Sequence, residues 1–175
     1  GPPCDTPGMA RADSYSMLAS LHIADTPMEY SPPIGPSINY RFDYNHKQTN
    51  QPVTFSFTNV GQNWNFNWLS YLTVDPSTSV ASVRIREGGT EVYAPSGSVY
   101  SPSFLSQALL VNMGSGVYER RMKDGSIEVY NQSDSSSPPR IFLTQVKNPQ
   151  GDTVFVQYDA NFRITTITDA IGQVS

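Results

Sequence analysis

Few residues in this chain have the type and spacing that chemistry requires. Cys4, His22 and His46 are metal-ligating types, but their intervals match no ligand pattern and the further Cys or His partners of a four-ligand site are missing. Solvated or structural roles are the better reading for all three. Nucleophilic catalysis lacks a signature as well: there is no Gly-x-Ser-x-Gly elbow, and only two histidines are available as a base. Cys4, close to the N-terminus, reads as a solvent-facing thiol. Asp152, Asp159 and Asp169 could supply paired carboxylates for acid–base work, but each is better read as the cap of a turn, with its oxygens taking backbone N–H groups. The aromatic run Trp64, Phe66, Trp68 and Tyr71 is the best candidate for a recognition surface, because exposed rings stack on sugars. Alternation with Asn63, Asn65 and Asn67 makes core packing the stronger reading. No cofactor is implied.

The elements that must position these residues are strands. Of 175 residues, 38% are apolar and 15% charged, both below the roughly 45–50% and 25% of ordinary domains. Neutral polar residues fill the gap, with 22 Ser, 13 Thr and 11 Asn beside 14 Pro and 12 Gly. Only nine Ala, eight Leu and five Glu favour helix, whereas 20 aromatics and many Val, Ile and Thr suit a pleated surface. The aromatic content and low net charge argue against disorder. A net charge of −4 and a pI near 5.0 remove the footprint of a nucleic-acid binder. The longest apolar run, Ala108 to Val111, is far too short to span a bilayer. Gly1-Pro2 resembles a tag remnant, so residues 1–2 are set aside.

Period-two alternation runs almost throughout, placing successive side chains on opposite faces of strands. Tyr15, Met17, Ala19, Leu21 and Ile23 share one face; Ile38, Tyr40, Phe42 and Tyr44 a second; Val53, Phe55 and Phe57 a third. Trp64 to Leu72 reads as one central strand, apolar on both faces at its end. Turn signals at 31–36, 59–61, 75–77, 87–89, 124–125 and 135–139 separate about ten short strands. The only plausible helical turn is Ser103 to Leu110.

Internal repetition is more specific. Leu143 to Gly151 aligns without a gap on Ile164 to Gly172. Upstream, Asp124-Gly125-Ser126-Ile127-Glu128-Val129-Tyr130 echoes Gly89-Thr90-Glu91-Val92-Tyr93. Each unit reads as a turn at Gly, a strand ending in Tyr, a tight polar turn and a returning strand. Such a hairpin must stack on neighbours to bury its apolar face. The sequence stops where the next unit would begin, which suggests a longer array.

Gly151 to Gly172, with the Tyr158-Asp159 pair, the Arg163-Ile164 return and the close from Asp169 to Gly172, resembles the YD repeat of the bacterial Rhs proteins, found also in insecticidal toxin-complex shells and teneurins. Phe162 occupies a position more often Gly. The preceding unit, with Gly125 and Tyr130-Asn131 and an insertion at 133–139, reads as a degenerate repeat. The earlier part resembles the region that precedes the repeats in such proteins. On this reading residues 3–115 form an N-terminal β region and 116–175 the repeats.

The resemblance implies an all-β fold of antiparallel hairpins in a twisted, partly open sheet. It implies a non-enzymatic role as the N-terminal part of a secreted or surface-delivered β-shell that encloses a C-terminal toxin or other cargo. The partners are then the remainder of the same chain, with homo-oligomers forming through open sheet edges. The shell reading expects unpaired edge strands near the C-terminus and no pocket of convergent titratable groups. Two alternatives stand beside it. A carbohydrate-binding β domain would expose the rings at 64–71 together in a groove, and a self-processing domain would cleave or cross-link its own chain.

Overall fold

The computed structural model describes residues 10–15, 19–47, 60–61, 63–86, 88–97 and 99–175. Among them the fold is all-β and antiparallel, with no helix. The first sheet takes the order of the chain: β1 (Arg11–Tyr15), β2 (Ser20–Tyr30), β3 (Ile38–Asn45) and β4 (Trp64–Phe66). The second begins with β5 (Tyr71–Val74), β6 (Ala81–Arg84), β7 (Thr90–Tyr93), β8 (Pro95–Ser96), β9 (Val99–Tyr100) and β10 (Leu109–Gly114). It continues with β11 (Val117–Arg121), β12 (Ile127–Ser133), β13 (Arg140–Lys147), β14 (Thr153–Tyr158) and β15 (Ile164–Thr168).

Strand β13 organises the second sheet. One edge pairs with β12 along its length; the other is shared, with Arg140 to Phe142 on β5 and Gln145 to Lys147 on β14. The order β7-β6-β5-β13-β12-β11-β10-β9-β8 thus runs through β13, and the β14–β15 hairpin branches from it. The long path curls into a nearly closed, barrel-like sheet. Its interior is filled by Leu72, Val83, Tyr93, Leu110, Tyr130 and Leu143, which belong to one buried cluster with Ile38 and Trp68. Where the sheet forks, Phe142 is wholly buried among Tyr71, Tyr158 and Phe162, with ring centroids 5.0–5.6 Å away.

The apolar face of β3 packs in the manner its alternation implies. Ile38 is fully buried, Phe42 stacks on Phe66 at 4.8 Å, and Tyr44 meets Trp64 at 5.3 Å. The end of the β14–β15 branch docks beside this sheet: Tyr30 Oη donates to Asp169 Oδ2 at 3.4 Å and Tyr40 Oη to Ser175 Oγ at 2.9 Å. A Cβ added at Gly35 would come within 2.7 Å of Ala170 Cβ, so the 31–37 loop needs glycine to lie this close.

Three local expectations are corrected. Residues 15–23 are not one strand; Tyr15 pairs with Ser20 across a hairpin, and Ala19 has a φ of 44°. The register puts Tyr15 on the face of Ser20 and His22, opposite to that of Leu21 and Ile23, so the alternation continues in sequence while the face it marks changes at the reversal. Nor is 64–72 one strand. The chain leaves the first sheet after Phe66 because the Asn67 side chain replaces strand pairing, its Oδ1 accepting from Arg41 N at 3.0 Å and its Nδ2 donating to Asn39 O at 3.2 Å. The chain then enters the second sheet at Tyr71. Over Ser103 to Leu110 the expected helical turn is limited to a single i+4 to i bond, Gln107 N–H donating to Ser103 O at 3.0 Å; Ser103 N–H then donates to Ala108 O at 2.9 Å, and Leu109 and Leu110 belong to β10. The described residues hold fifteen strands, more than the ten expected. Val53, Phe55, Phe57, Met17 and Cys4 lie outside the described residues.

Candidate functional site

The repeat residues build one device several times. In each of the turns 148–152, 159–163 and 169–173 the first residue's carbonyl accepts from the fourth N–H, and its own N–H donates to the fifth carbonyl, at 2.9–3.1 Å. This is the three-residue hairpin loop in which a type I turn is followed by a left-handed residue. The first residue also caps the turn. Asn148 Oδ1 accepts from the N–H groups of Gln150 and Asp152, Asp159 Oδ1 from Asn161 and Arg163, and Asp169 Oδ1 from Ile171 and Gln173. The gap-free alignment of 143–151 with 164–172 is therefore an equivalence of individual hydrogen bonds. Asp159 and Asp169 cap their turns as expected. Asp152 does not; that role belongs to Asn148, whose amide donates to Asp152 Oδ2 at 2.8 Å. Arg163 Nε closes the middle turn on Asp159 Oδ2 at 2.7 Å, and bonds from Arg163 hold the Asp159 carboxyl below its ordinary range.

The fourth position of each turn has positive φ: 93° at Gly151, 87° at Gly172 and 59° at Phe162. Glycine adopts this conformation without steric cost, whereas other residues pay on the order of 1–2 kcal/mol. Phe162 offsets that cost by stacking on Phe142 at 5.0 Å with an interplanar angle of 23°. The departure from glycine noted in the sequence thus has a structural reason. The same frame recurs at 122–126 with Gly125, and at 85–89, where Gly88 and not Gly89 is its counterpart.

That frame aligns Glu91-Val92-Tyr93 with Glu128-Val129-Tyr130, and the structure brings the two echoes together inside the curled sheet. Tyr93 Oη donates to Glu91 Oε2 at 2.5 Å, and Tyr130 Oη to Glu128 Oε2 at 2.9 Å. Between them lies Arg120 of β11, 3% exposed. Its Nη2 bonds Glu91 Oε2 and its Nη1 Glu128 Oε2, each at 2.9 Å, and its Nε donates to Tyr93 Oη at 2.9 Å. The line continues to Ser70, whose hydroxyl lies 2.8 Å from Tyr130 Oη and donates to Arg84 O at 2.6 Å. Arg84 Nη2 in turn donates to Asn65 Oδ1 at 2.9 Å.

Electrostatics follow from this pairing. Burial pushes Glu91 up, but hydrogen bonds from Tyr93 and Ser106 and the charge of Arg120 outweigh it and hold the carboxyl below its usual value. Burial and the Glu91 carboxylate push Tyr93 up to about 12, and burial with the Glu128 charge raises Tyr130 well above its ordinary value. Buried charges persist only when paired and hydrogen-bonded in this way. These titratable groups converge in the packed interior of the sheet, not in a pocket of the kind the shell reading excludes. The signal was Arg120 falling on the inward parity of Tyr118.

Tyr158, the third repeat tyrosine, has no carboxylate at the matching position, where Val156 stands. Its Oη donates to Leu143 O at 2.5 Å, and burial alone raises its pKa.

The four rings 64, 66, 68 and 71 do not form one groove. Trp68 is fully buried, with the Arg86 guanidinium 4.1 Å from its ring centroid and its Nε1 donating to Asn39 O at 2.7 Å. Trp64 and Phe66 lie against Tyr44 and Phe42 on the first sheet, and Tyr71 against Phe142 on the second. His22 Nε2 lies 3.3 Å from Asp43 Oδ1, and His46 Nδ1 accepts from Leu21 N–H at 2.8 Å. Among the described residues no helix is long and apolar enough to cross a membrane.

After the last repeat turn the backbone returns onto the edge of β15. Ile167 and Ser175 exchange both backbone bonds, N–H to O, at 2.8 and 2.9 Å, and Thr168 bridges Val174. Among the described residues this is the only pairing on the outer edge of β15. No family model matches the chain, and no curated protein matches it.

Proposed function

We propose that this chain is a non-enzymatic structural segment: the N-terminal β region and first repeats of a YD-repeat-type shell whose later part encloses a toxin or other cargo, in a secreted or surface-delivered protein. The observation that carries the reading is the recurrence of one turn frame at 148–152, 159–163 and 169–173, the last of which returns the backbone onto the outer edge of β15. A device that repeats and presents an edge is suited to extending a sheet, one hairpin after another. The Ser, Thr and Asn content favours this role, because a shell wall wetted on both faces needs polar strands more than a thick core.

The test is to append residues 155–172 a second time, directly after Ser175, which completes one further unit in register with the repeat. The added hairpin should pair with β15, slow amide exchange at Ile164, whose N–H points to the outer edge, and raise the unfolding midpoint. An appended segment that stays unstructured and leaves Ile164 exchange unchanged contradicts the proposal.

A further inference from the structure

The outer face of β5, β6 and β7 is concave and, with the 134–140 arm, bounds a cleft of about 410 Å³. Strand register sets its floor in two rows. Tyr71 lies opposite Arg84 and Arg84 opposite Thr90; in the next row Arg140 lies opposite Thr73 and Thr73 opposite Ser82. Ser136 and Pro138 form the wall. Two guanidiniums, four aliphatic hydroxyls and one phenol therefore border the same space.

Both guanidiniums are held in place. Arg84 is only 5% exposed, and its Nη2 bond to Asn65 is continued by Asn65 Nδ2 donating to Arg86 O at 3.1 Å. Arg140 Nε donates to Asp134 Oδ2 at 2.6 Å, while Asp134 Oδ1 accepts from the N–H groups of Ser136 and Arg140 and from the Ser136 hydroxyl. Asp134 is thus occupied in bracing the arm. Burial raises the Tyr71 phenol, and the charges of Arg84 and Arg140 both act against that rise, so the two cations reach one locus.

A planar fork of N–H donors matches carboxylate and phosphate oxygens, and hydroxyls placed around it suit a ligand that carries hydroxyls of its own. The volume falls within the roughly 300–1,000 Å³ of small-ligand sites. We propose that this cleft binds the oxyanion of a monosaccharide-sized ligand, a carboxylate or phosphate on a hydroxylated ring. The site uses Tyr71 but none of Trp64, Phe66 or Trp68, and it does not depend on the shell reading.

Backbone amide shifts of the full chain, followed by NMR during titration with glucuronate, glucose 6-phosphate, glucose and inorganic phosphate, test it. Saturable shifts confined to β5–β7 and 134–140 are expected with at least one sugar anion, at a Kd on the order of 1 mM. Uncharged glucose should give none in that range, and inorganic phosphate should bind at least about 10-fold more weakly, a difference of about 1.4 kcal/mol. Arg140→Gln should weaken binding at least about 10-fold, one fork-to-oxyanion contact being lost. Because Arg140 also braces the arm, Thr90→Val gives a second reading on the floor and should weaken binding severalfold. Absence of saturable shifts with both sugar anions, equal binding of inorganic phosphate, or binding unaffected by both variants overturns the proposal.

Discussion

The two ends of the second sheet anchor the same repeat tyrosine in opposite ways. In the curled half, Tyr93 and Tyr130 donate to carboxylates that share Arg120, so strands β7, β11 and β12 are tied together across the interior. In the branch, Tyr158 donates to a backbone carbonyl of the neighbouring strand β13 and ties the hairpin only to its predecessor. The first arrangement closes a sheet on itself and the second stacks one unit on the next. A single substitution type at the strand, Glu128 in one unit and Val156 in the other, accompanies the change from a tie across the interior to a tie between neighbouring strands.

The comparison breaks most severely at Arg120. Arg120→Leu leaves Glu91 and Glu128 buried without their shared cation, and should cost about 3–5 kcal/mol in denaturant unfolding. A loss below about 1 kcal/mol would mean the charge line does not close the sheet.

The tyrosines sharpen it next. Tyr130→Phe removes a hydroxyl bonded to a charged acceptor and should cost about 1.5–3 kcal/mol, whereas Tyr158→Phe should cost about 1 kcal/mol. Equal losses in thermal unfolding would erase the distinction between the two anchors. A smaller effect separates glycine from its replacement within the branch. Phe162→Ala loses the stack on Phe142 and keeps the left-handed strain; Phe162→Gly loses the same stack but relieves that strain. The Gly variant should therefore be the more stable of the two by about 1 kcal/mol.

Titration effects are the smallest per group. Glu91, Asp134 and Asp159 have carboxyls lowered in the fold, so between the folded and unfolded values the native state binds fewer protons. Their stabilisation is complete above the unfolded values near 4 and is lost as pH falls through the lowered ones. Tyr93 is raised to about 12, so its share is complete below the unfolded value near 10 and is lost as pH rises toward 12. Unfolding midpoints measured from pH 2 to 5 and from 9 to 12 should show both slopes.

Much of this was legible in the residues. Alternation located β3, and the alignment of 143–151 with 164–172 foretold matching turns because it preserved the capping Asx and the left-handed position. The break at 66–71 was hidden, since Trp64, Phe66 and Trp68 keep period two while the Asn67 side chain, not the pattern, ends the strand. The charge line was half visible. The Glu-Val-Tyr echo and the inward parity of Arg120 were in the sequence, but their meeting depends on the curl of the sheet, a long-range property that no local spacing encodes. The cleft at Arg84 and Arg140 depends likewise on β13 dividing one edge between β5 and β14.

The central claim is that the sheet is closed around Arg120 and open at β15. Residue-resolved amide hydrogen exchange on the chain tests it most directly. The account predicts the slowest exchange in β12 and β13, at Tyr130 and Leu143, with protection declining through β14 to the Ile164 amide of β15, which lies next to the bonded pair Asp159–Arg163 and so points to the outer edge, and which should exchange fastest among the strand residues of the branch. Protection at Ile164 equal to that at Tyr130 would contradict an open edge, and with it the reading of this branch as a place where the sheet is extended.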